Sequence, residues 1–141
     1  MRKFFALTLM TLTMVTTAAF AQDAGPAAGS LKHNMKEAGT LFKAIGATIA
    51  DTTKNADNAQ RAGQMADLFK LALNQTPDHL SEIPEAQRAE ALKGYQEMIQ
   101  KVIDHSLALQ QAFLNNDNAT AATIYKEMKE LKSDGHDQYD P

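Results

Sequence analysis

The side chains in this sequence that could hold a metal or a prosthetic group are few: four histidines, seven methionines and no cysteine. Without thiols there can be no disulfide, no thiolate nucleophile, no Cys-ligated zinc or iron–sulfur site, and no Cys-x-x-Cys-His tether for a covalent haem. Of the remaining donors, Met35 and His136 matter as a pair because they stand near opposite ends of the chain. Facing each other, a thioether and an imidazole are neutral ligands that can hold a haem iron from its two sides in a low-spin, one-electron site, with the thioether raising the potential. Each also has an ordinary use. A methionine on a helical stripe commonly fills core space, and a histidine near a helix C-terminus complements the helix dipole. Which use applies depends on the elements that carry them.

Those elements are helices. Leu31, Met35, Ala38, Phe42, Ile45 and Ile49 recur at spacings of four, three, four, three and four, a one-face stripe that predicts a first helix opened by Ser30. Thr52 to Asp57 reads as a turn, and a second helix is expected from about Asn58 to Asn74 with Ala62, Met65 or Ala66, Phe69 and Leu73 facing in. Pro77 and Pro84 make Gln75 to Pro84 the longest connection, and Pro84 suits a helix start. A third helix follows over roughly Glu85 to Asn115, with Leu92, Tyr95, Ile99, Val102, Leu109 and Phe113 on its buried face and Ile103 beside them. After the polar turn Asn115 to Asn118, a fourth runs to about Tyr139 on Ala121, Ile124, Tyr125, Met128 and Leu131.

No stretch alternates with the period of a strand. Four amphipathic helices with mostly short connections predict an all-α, up-down-up-down antiparallel four-helix bundle. In that topology the first helix begins where the fourth ends. Met35 and His136 each lie about one turn from that end, on the order of 5–8 Å at 1.5 Å per residue, and so are expected level with one another.

Residues 1–21 have the layout of a cleaved secretory signal. Arg2 and Lys3 precede a mostly apolar run, and Ala19-Phe20-Ala21 offers a cut before Gln22. Five threonines interrupt the run, which is short for a membrane span, so no anchor is expected. Residues 22–29 read as a small-residue leader and 30–141 as the bundle domain. Removing the signal takes two of the 14 basic residues and none of the 17 acidic ones, leaving 12 against 17 and a net charge of −5. With no basic block, nucleic acid is excluded as an expected partner.

The other histidines carry less. His33, two residues before Met35, should face away from it into solvent; His79 sits in the proline-containing loop; Asp104 beside His105 reads as a surface charge. Paired Glu-x-x-His motifs for a di-iron carboxylate site, a Ser/His/Asp order and a glycine-rich phosphate loop are all missing, so no enzyme is expected.

His33-Asn34-Met35-Lys36, Thr76-Pro77 after the second helix, and Leu131 through Gly135-His136-Asp137-Gln138-Tyr139 resemble the cytochrome b562 family, and the likeness in helix order and loop placement covers almost the whole chain after the signal. The resemblance implies a periplasmic b-type cytochrome that carries single electrons on one non-covalent haem b, with Met35 and His136 as axial ligands. It further implies Tyr95, Ile99 and Lys132 as supporting residues, with Leu31 and Met128 nearby. It implies a monomer that meets redox partner proteins. Lys132 stands where family members often have arginine, and Gly135 where an aromatic residue often precedes the ligand histidine. From these two positions comes the alternative reading, a haem-free periplasmic bundle that has lost the cofactor and acts as a binding module.

Overall fold

Ser30, extended at φ −69° and ψ 155°, accepts the backbone N–H of His33 on its hydroxyl at 3.2 Å and so starts α1 (Leu31–Thr48). The computed structural model describes residues 29–139, and the chain continues through α2 (Asn55–Leu73), α3 (Glu85–Leu114) and α4 (Asn118–Tyr139). The expected signal and all of the leader but Gly29 lie outside the described residues. Among the described residues there is no strand, and no helix is long and apolar enough to cross a membrane. Close helix packing runs from α1 to α2, α2 to α3 and α3 to α4, which makes the four-helix bundle anticipated from the periodicity.

The second helix begins earlier than its apolar pattern indicates. Thr52–Lys54 is a 3-10 turn started by Asp51, whose carboxylate accepts the Thr53 amide at 2.9 Å, and the chain then runs directly into α2 at Asn55. Asn55 and Asn58 are both buried, so the first turn of α2 packs inward through amides rather than through hydrocarbon. The 75–84 connection contains a second 3-10 turn, Asp78–Ser81, held to α3 where Arg88 donates to the carbonyls of Ile83 and Ser81, each at 3.0 Å.

At the end where α3 turns into α4, Asn116 takes the left-handed conformation at φ 55°. The Asp117 N–H reaches the Ala112 carbonyl at 2.8 Å and the Asn116 N–H reaches that of Phe113 at 3.0 Å, the paired bonds of a Schellman stop. Asn55 then ties the two turns at this end together. Its amide donates to Asn116 Oδ1 at 3.0 Å and Asn118 Oδ1 at 2.9 Å, and Asn118 Nδ2 donates to the Ile49 carbonyl at 2.8 Å. Beside it Asn58 accepts from Thr48 Oγ1 and Arg61 Nη1, both at 3.0 Å. All four helices are therefore stapled at this closed end by satisfied buried amides.

The apolar core has two parts. Phe42, Ile45, Ala59, Ala62, Met65, Leu109, Phe113, Ala121 and Met128 draw on all four helices next to the closed end. Toward the open end the core continues as Tyr95, Ile99 and Ile103 of α3, packed with Leu31 and Met35 of α1 and Phe69 and Leu73 of α2. Among the described side chains no α4 residue joins that second part, and beyond Met128 only Leu131 and Gly135 of α4 are as much as half-buried among residues 129–138.

Candidate functional site

The inward line of α1 runs through buried Asn34, Ala38, Phe42 and Ile45, so Met35 is not at the centre of the stripe. It is half-buried about 60° to one side of Ala38, at 100° per residue. His33, expected in solvent, is half-buried too, because the inward line passes through its neighbour Asn34. Asn34 was not legible as a core residue. Its amide donates to Gln75 Oε1 at 3.1 Å, and Gln75 Nε2 donates to the Gly29 carbonyl, which ties the start of α1 to the end of α2.

The flank of α1 that carries Met35 is the one turned toward α4. Gly46 lies on it, and a Cβ there would land inside the Tyr125 phenol of α4, whose ring stacks on Phe42 with centroids 4.2 Å apart and 21° between planes. Met35 is eleven residues before Gly46, and His136 is eleven residues after Tyr125. Eleven residues are three helical turns plus about 20°, a rise of roughly 16 Å. Because α1 and α4 are antiparallel, carrying the Gly46–Tyr125 contact three turns toward the open end brings Met35 and His136 to the same level, on the two faces that look across the same seam. His136 itself is exposed, about 80° round from buried Met128 and on the same side as Tyr125.

The other expected site residues divide. Tyr95 and Ile99, 3% and 5% exposed, are brought together with Met35 in the open-end cluster. The Tyr95 hydroxyl donates to the Ala72 carbonyl at 3.0 Å, which fixes the ring, and burial pushes its pKa up to about 12. Met128 belongs to the closed-end core rather than to this cluster, and Lys132 is exposed one turn before His136. No group of three or more His, Asp or Glu able to hold a metal ion exists among the described residues. Two shallow hollows lie elsewhere, one beside Thr76–Ser81 and one along Leu41, Leu68 and Leu71; neither includes Met35 or His136.

The inward position of the last α4 turns belongs to Gly135, where a Cβ would stand 3.0 Å from the Met98 sulfur of α3. Met98 was not legible as a site neighbour, since it falls outside the main apolar stripe of α3. The arrangement can accept a flat apolar group. Tyr95, Ile99, Leu31 and Leu92 form an apolar wall that no described α4 side chain joins, and the helical register carries the Met35 thioether on the α1 side and the His136 imidazole on the α4 side. That donor pair suits a macrocyclic iron rather than a bare ion, which would need three or four protein ligands.

A family model described as cytochrome b562 matches residues 30–140, nearly all of the chain after the expected signal and leader. Comparison with curated proteins and with solved structures gives no match.

Proposed function

Because the chain belongs to the cytochrome b562 family, whose members bind haem b and carry electrons, we propose that it is an exported electron carrier holding one non-covalent haem between Met35 and His136. The observation that carries this reading is the eleven-residue register from Gly46 and Tyr125 to Met35 and His136 across the α1–α4 seam. Bound haem would supply a one-electron couple at its iron.

The chain's own residues have separable tasks. Met35 presents a neutral thioether from α1, and His136 presents an imidazole from the last turn of α4. Tyr95 and Ile99 form an immobile apolar wall that keeps water from the face they cover, since the Tyr95 hydroxyl is already occupied by the Ala72 carbonyl. Lys132, exposed beside His136, offers a cation to carboxylates at the solvent edge. As a monomer meeting redox partner proteins, the chain would pass electrons at that exposed end, and no substrate pocket is needed. Export proceeds through residues 1–21, with the working chain beginning at Gln22.

Titration of the purified protein with haemin tests the reading. A stoichiometric low-spin spectrum, lost in His136→Ala, is expected. A colourless protein whose melting temperature ignores haem would sink it in favour of a haem-free binding module, because a ligand specific to the native state must raise stability. N-terminal sequencing of the periplasmic form, expected to start at Gln22, checks the export arm.

A further inference from the structure

Three of the helical glycines each receive a side chain from the helix opposite. Gly46 of α1 takes Tyr125 of α4, Gly63 of α2 takes Gln110 of α3, and Gly135 of α4 takes Met98 of α3. By contrast nothing lies within 4 Å of the Cβ position of Gly39. A glycine inside a helix costs stability relative to alanine and allows a neighbour to approach closely. At Gly135 this matters most, because among residues 132–138 of α4 it is the one half-buried position, and Met98 stands directly against it. Residues 132–134 and 136–138 are exposed, and among the described side chains none from α4 belongs to the open-end cluster.

We propose that Met98 is a positioning residue for His136: its thioether seats on the bare backbone of Gly135 and so sets how close the end of α4 comes to α3 and how it is rotated. The inference rests on the Met35–His136 reading and adds to it a residue that never touches the iron. The geometry is specific. Gly135 lies about 20° from Met128 on the inward line of α4, so fixing it leaves the next residue, about 100° further round, aimed along the Tyr125 face into the α1–α4 seam. Methionine suits such a seat because its unbranched, polarisable end follows an irregular surface. Rotation of α4 by one residue, about 100°, would swing His136 out of the α1–α4 seam.

The test is a set of haem titrations on the full mature chain, read as affinity, as high-spin fraction, and as melting temperature without haem. Met98→Ala empties the seat and is expected to weaken haem binding about tenfold, the low end of what residues behind metal ligands contribute. Its high-spin fraction should rise, and added imidazole should restore the low-spin spectrum. Met98→Leu, of similar volume, should keep the wild-type spectrum. Gly135→Ala cannot fail for want of helix propensity. It crowds the sulfur from the other side, so the haem-free melting temperature should hold or rise while the high-spin fraction grows. In Met98→Ala/Gly135→Ala the new Cβ refills the seat, and affinity should recover toward wild type. Wild-type affinity and spin state in both single variants would overturn the proposal, as would a loss of affinity that follows melting temperature alone with the spectrum still low-spin. Failure of the underlying reading looks different, since His136→Ala would then keep the wild-type spectrum and the role of Met98 would fall with it.

Discussion

Tyr125 of α4 lies flat on Phe42 of α1, with ring centroids 4.2 Å apart, and its hydroxyl end fills the space that a side chain at Gly46 would need. This one contact sets the antiparallel register of the seam on which the proposed ligands stand.

Gly46→Ala should therefore destabilise the protein although alanine is the better helix former. The propensity gain is about 1 kcal/mol. Overpacking against a ring stacked on Phe42 costs about 1–3 kcal/mol. The second effect wins, and thermal unfolding should show a melting temperature lower by several degrees. Gly39→Ala, with open space around it, should instead raise it.

Met35→Leu keeps the volume of the open-end cluster and removes only the sulfur. The haem-free fold should change by less than about 1.5 kcal/mol. Haem should still bind through His136, with more high-spin character and a lower reduction potential, because the thioether is the ligand that raises it. Difference spectra and a redox titration check both. In the wild type, haem held free at about 100 times its dissociation constant should add about 2.7 kcal/mol to stability.

Tyr95 gives a pH dependence at the alkaline end. Its folded pKa of about 12 lies above the unfolded value of 10.0, so the folded chain keeps a proton that the unfolded chain releases. That stabilisation is whole below pH 10 and is lost as pH rises toward 12. Alkaline unfolding followed by circular dichroism should steepen over that window in wild type and flatten in Tyr95→Phe. At neutral pH the variant should lose only about 1 kcal/mol, the ordinary net worth of a hydrogen bond, since the Ala72 carbonyl still accepts the Gln75 N–H at 2.9 Å.

Asn55→Ala should be among the most damaging polar substitutions. It removes the amide shared by Asn116 and Asn118 and strips partners from groups at the closed end, at a cost of about 1–3 kcal/mol. Urea unfolding should show a lower midpoint at unchanged slope. Asp57→Ala, exposed two residues later, should lie within about 0.5 kcal/mol of wild type.

The bundle was legible because its message is written in hydrocarbon. The spacings from Leu31 to Ile49 and from Leu92 to Phe113 give the helices, and Pro77 and Pro84 mark the long loop. What escaped is carried by amides and by missing side chains. Asn55 read as a turn residue and Asn58 as the start of the second helix, yet both are buried hydrogen-bonded groups inside α2. Gly135 read only as the absence of an aromatic residue before His136, and in the fold it is the inward surface of α4 against Met98. Met35 could be assigned to a helix and a level from spacing alone. Its place on the flank facing α4 needed the Tyr125 contact, since a stripe of apolar residues does not say which neighbour each edge meets.

The asparagine staple has a mechanical consequence. Asn55, Asn116 and Asn118 pin the α1–α2 and α3–α4 turns to each other, while at the far end the last turns of α4 lie outside the core. Local opening needs less free energy than global unfolding where few apolar contacts must break. The molecule is thus closed by buried amides at one end, while at the other the end of α4 rests on few apolar contacts. For the proposed haem this means loading at that end without unfolding of the closed end, so haem uptake is expected to be faster than global unfolding.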